Sequence, residues 1–87
     1  MLIVFEIYVQ PMFEPDELLS PAVQKETGAR IFTRDEAEAA GLSGLPEPSP
    51  DHGEVRYILV NANHRRWIER AIEASSHVGA FNVHDIG

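Results

Sequence analysis

The chain has 87 residues with seven Lys+Arg, fourteen Asp+Glu and no cysteine, giving a net charge of −7. This length predicts a single domain over 1–87, and an apolar fraction of 44% is ordinary for a globular fold. Without cysteine there is no disulfide, thiolate metal site or Cys nucleophile, and a cytoplasmic location is the expectation. The acidic balance argues against nucleic acid and anionic membranes as partners.

Residues 2–9, Leu-Ile-Val-Phe-Glu-Ile-Tyr-Val, form a nearly unbroken apolar run that Pro11 ends. Such a run predicts a strand buried on both faces and therefore central in its sheet. It is too short for a membrane helix, and no basic flank precedes it as in a signal peptide. Residues 14–27 read as a helix broken at Ser20-Pro21. Proline lacks the amide hydrogen that a helix interior needs, whereas serine followed by proline starts a new helix well. Gly28 is the expected stop.

A short strand over 29–33 precedes Thr33-Arg-Asp-Glu36, which has the spacing of a capping box and predicts a short helix ending at Gly41. Residues 42–53 contain Pro46, Pro48 and Pro50 and read as a loop. Alternation over 54–60 predicts the third strand, with Val55, Tyr57 and Leu59 on one face and Arg56, Ile58 and Val60 on the other. A helix over about 64–76 follows, with Trp67, Ile68, Ala71, Ile72 and Ser75 as its expected buried stripe. The last strand is expected over 78–85, with Phe81 and Val83 on one face and Ala80 and Asn82 on the other.

This order predicts an α+β fold: a ferredoxin-like βαββαβ sandwich, with a four-stranded antiparallel sheet and helices on one face. An extra short helix and the proline-rich loop would lie between the second and third strands. The opening Met1-to-Pro11 segment and the strand order resemble the small dimeric α+β barrel proteins of the muconolactone-isomerase kind. The resemblance implies a homodimer. It covers one strand and a topology and assigns no site.

Charge is uneven along the chain. Residues 1–55 hold three basic and eleven acidic side chains, whereas residues 56–87 hold four and three. Anion recognition is therefore expected in the carboxy-terminal third. Asn63, His64, Arg65 and Arg66 open the last helix, where cations oppose the helix dipole, a local misfit of the kind found at binding sites. With His84 they form the expected ligand- or anion-binding group. No pair of histidines has a metal-ligating spacing, and no metal or cofactor is expected.

Glu6, with Tyr8 two residues on, is a polar interruption of an apolar strand and a candidate cleft. The sequence places Leu2, Val4, Glu6, Tyr8 and Ile58 on a sheet face without helices, which a second copy would cover. Two functions fit these residues. One is a homodimeric interaction or accessory module without catalysis of its own. The other is a small-molecule, anionic-ligand binding protein or a small dimeric enzyme with a cleft near Glu6 and His64. No nucleophile–base pair or phosphate loop marks an enzyme.

Overall fold

The computed structural model describes residues 1–42, 45 and 54–86. The elements run β1 (Leu2–Val9), α1 (Pro15–Leu18), α2 (Pro21–Thr27), β2 (Arg30–Phe32), α3 (Arg34–Ala39), β3 (Glu54–Asn61), α4 (Arg65–Ala74) and β4 (Val78–Asp85). One 3-10 turn, Ala62–His64, leads into α4. The strands form one antiparallel sheet in the order β2-β3-β1-β4, so the two most apolar strands are central. The class is α+β. The prolines at 46, 48 and 50, and the loop expected around them, lie outside the described residues apart from Leu42 and Leu45.

The broken helix forms as its residues dictate. The Ser20 hydroxyl accepts from the Val23 amide at 3.3 Å, Pro21 takes the first helical position, and Gly28 closes α2 at φ 72°. The carbonyl of Leu19, stranded at the break, accepts from Gln24 Nε2 at 2.8 Å. Thr33 and Glu36 make the complete capping box, with reciprocal bonds of 3.1 and 2.9 Å.

Strand alternation divides β1 between two cores. Ile3, Phe5, Ile7 and Val9 point to the side of α1, α2 and α4, where Leu18, Leu19, Ile68 and Ile72 pack on them. Val4 points the other way, into a smaller cluster with Tyr57 and Ala37 of α3, flanked by Phe32, Leu42, Leu45 and Val55. The helices thus do not all share one face. The only buried residue of α3 is an alanine, which lets that helix lie close over the sheet side left open by the others.

Three sequence expectations change here. The face carrying Glu6 and Tyr8 is covered within one chain: Val4 is 0% exposed, and only Leu2, at 43%, remains open at the strand end. Ile58 does not belong to that face, because it pairs with Phe5 and joins the helix-side core. Trp67 leaves the expected stripe and is 45% exposed. Ile68 and Ile72, four residues apart, define the centre of the buried face, so Trp67 sits on its flank with its ring edge-on to His64. Among the described residues, no helix is long and apolar enough to cross a membrane.

Candidate functional site

Register alone assembles a polar cluster in the middle of the sheet. Glu6 of β1 lies opposite Tyr57 of β3 on one side and Asn82 of β4 on the other. Directly opposed residues share a face, so all three project toward the α3 side. His84, two residues beyond Asn82, projects there too. Neither strand pairing nor charge pairing required these residue types, since the same positions elsewhere in β1 are filled by Val4 and Tyr8.

The carboxylate of Glu6 is only 3% exposed. Its Oε1 accepts from Asn82 Nδ2 at 3.3 Å and lies 3.6 Å from His84 Nε2, too far for a hydrogen bond. Its Oε2 and the His84 Nε2 are both buried without a hydrogen-bond partner. Burying a polar atom unpaired costs about 1–3 kcal/mol, more for a charged group. The fold tolerates two such atoms within one pair of side chains. Native proteins concentrate such departures at functional sites.

Around this pair the chemistry is supplied by β3 and α3. The Tyr57 ring is fully buried, and its hydroxyl accepts from Arg34 Nη1 at 2.8 Å. Burial pushes the phenol above its ordinary value. The Arg34 hydrogen bond opposes that shift, and the charges of Glu6 and Tyr8 add to it. Arg34 bonds Glu38 at 3.0 Å through Nε and lies over the Tyr57 ring, 5.7 Å from its centroid. Tyr57 and Glu38 hold its guanidinium more firmly protonated than usual. Tyr8, almost fully buried, continues the cluster along β1. An acceptor oxygen, an imidazole nitrogen, a phenol and a fixed cation therefore share one side of the sheet. Such a set can exchange a proton with a hydrogen-bonding group that reaches it. Among the described residues, no group of three or more His, Cys, Asp or Glu side chains could hold a metal ion.

The residues grouped by sequence are sorted differently in space. Glu6, Tyr8 and His84 come together. Asn63, His64, Arg65 and Arg66 stay apart from them, because α4 packs against the Ile3 side while His84 faces the other. The amide of Asn63 donates to Asn61 Oδ1 at 2.9 Å, which starts the 3-10 turn. His64 makes no cap bond, Arg65 is tied to Glu69 at 2.7 Å, and Arg66 is exposed. Asn82, Tyr57 and Arg34 were not singled out from sequence. Alternation already put Asn82 on the face of His84. The approach of Arg34 depends on α3 crossing to the far side of the sheet. Comparison with known protein families, with curated proteins and with solved structures finds no match for this chain.

Proposed function

We propose that this is a cytosolic small-molecule-binding protein of ferredoxin-like architecture, acting as a homodimer, whose ligand site is centred on Glu6 and His84. The observation that carries the reading is the buried carboxylate oxygen and imidazole nitrogen left without partners side by side. An unpaired acceptor beside an imidazole favours a ligand that brings hydrogen-bond donors, such as a hydroxyl or amine, over the anion suggested by Arg65 and Arg66. Proton exchange at this pair would make the protein a small acid–base enzyme. The other reading, an interaction module without catalysis, draws support from the exposed Trp67 on α4.

Backbone-amide spectra recorded with a panel of small alcohols, amines and phenols test the site. Selected members should shift Glu6, Tyr57, Asn82 and His84 together, and Glu6→Met should abolish the response. If no member shifts these amides, or if the response survives Glu6→Met, the ligand-site reading fails and the module reading takes its place.

A further inference from the structure

The two edges of the sheet are guarded unequally. β2 is three residues long and begins with the exposed Arg30. A short strand with a charged end offers an incoming strand little to pair with. β4 occupies the opposite edge and is eight residues long. From Val78 to Val83 it carries no charged residue and no proline, and His84 is turned toward Glu6. Gly79, Ala80 and Asn82 are exposed, and Phe81 and Val83 are half-buried. About half of the backbone polar groups of a strand point away from its one neighbour. Among the described residues, no strand pairs with that side of β4. Next to it a groove of about 200 Å³ opens between β4 and α4, lined by Ile72, Glu73, Val78 and Phe81 among others.

We propose that β4 pairs antiparallel, edge to edge, with β4 of a second copy of this chain, giving one continuous eight-stranded sheet. Charge points to this occupant. Two chains of net charge −7 meet with least repulsion along a strand low in acids: Asp85 at its end is the only acid of β4, and Glu73 of α4 lies beside the groove.

Side-chain parity then fixes the register. Residues opposed in an antiparallel pair share a face, so the two-fold axis must pass beside a single residue. With the axis at Asn82, Phe81 faces Val83 of the second copy twice on the helix side, and Ala80 faces His84 twice on the Glu6 side. Each small residue then meets a larger one. The half-buried Phe81, whose ring lies 6.2 Å from that of Phe5, extends the helix-side core across the junction. Shifting the axis to Phe81 sets Val83 against Gly79, where the pairing of β4 with β1 skips a residue, and leaves the valine without a side chain to cover it. In the Asn82 register, the two Glu6 sites are three strand spacings apart, about 14 Å.

The inference rests on the homodimeric part of the function proposed above and not on its ligand site, so its failure leaves the amide-shift test of that site untouched. Sedimentation equilibrium on the full chain at micromolar concentration should give twice the 9.7 kDa chain mass. Ala80→Lys, at an exposed position that faces His84 of the second copy, should restore the chain mass with an unchanged circular dichroism spectrum. Amide exchange across Val78–Asp85 should slow with rising concentration in the unmodified protein, which tests the interface even if the variant misfolds. A monomer throughout overturns the proposal, and so does exchange at β4 that is independent of concentration. A dimer that survives folded Ala80→Lys, or one that is broken by Trp67→Ser instead, overturns it as well.

Discussion

Replacing Glu6 by methionine should stabilise the protein. Methionine fills nearly the same volume with an apolar, flexible chain. The substitution removes a carboxylate that is 3% exposed, with one oxygen unpaired. Relief of that unpaired atom is worth about 1–3 kcal/mol. Against it stands the loss of the 3.3 Å bond from Asn82, about 0.5–1.5 kcal/mol. Asn82 is exposed and can turn to water, whereas the His84 Nε2 is buried and unpaired before the change as after it and so does not enter the difference. The balance is a gain of about 1 kcal/mol, which for a domain of this size raises Tm by roughly 4–8 °C. Guanidinium unfolding at neutral pH, followed by tryptophan fluorescence and circular dichroism, measures it through the midpoint at constant slope. A destabilisation of about 2 kcal/mol or more would refute the reasoning. The carboxylate would then be a structural anchor, and the unpaired atoms would lose their functional meaning.

Two further outcomes follow from particular contacts. The Tyr57 phenol is raised above its ordinary 10.0 by burial, so its contribution to stability is complete below that value and is lost as pH rises through the higher folded value. Tyr57→Phe should therefore flatten the alkaline fall in stability above the ordinary phenol value, read from unfolding midpoints along a pH series; an unaltered fall would show that another group titrates. Replacing Arg65 and Arg66 together by glutamine should hold or raise stability, by up to about 1.5 kcal/mol. Relief at the positive helix end, about 0.3–1 kcal/mol per charge, is partly offset by loss of the exposed Arg65–Glu69 pair, about 0.3–0.5 kcal/mol. A loss above about 1 kcal/mol in thermal unfolding would mean that the arginines hold the helix start.

Local chemistry made much of this fold legible in the sequence. The break at Ser20-Pro21, the stop at Gly28, the Thr33–Glu36 capping box and the alternation of β3 are each decided by residues within four positions of one another. Their physics is short-ranged, so sequence spacing contains it. The apolar run of β1 likewise announces a central strand, because only burial on both faces rewards such a run. Glu6 stood out for the same reason, as a charge where burial was already implied.

The neighbours of Glu6 were settled by the tertiary structure. His84 lies 78 positions away and reaches the carboxylate only because β4 joins the far side of β1 in a register that sets Asn82 opposite Glu6. The sequence grouped His84 with Arg65 and Arg66 by charge and by position along the sheet. The direction of a side chain across the sheet separates them. Likewise the covering of Val4, Glu6 and Tyr8 depends on which side of the sheet α3 chooses. The capping box predicts that this helix exists, yet its single buried alanine carries too little pattern to say where it packs. Register and helix placement are set by many weak contacts summed over the whole sheet, and no short stretch of sequence holds that sum.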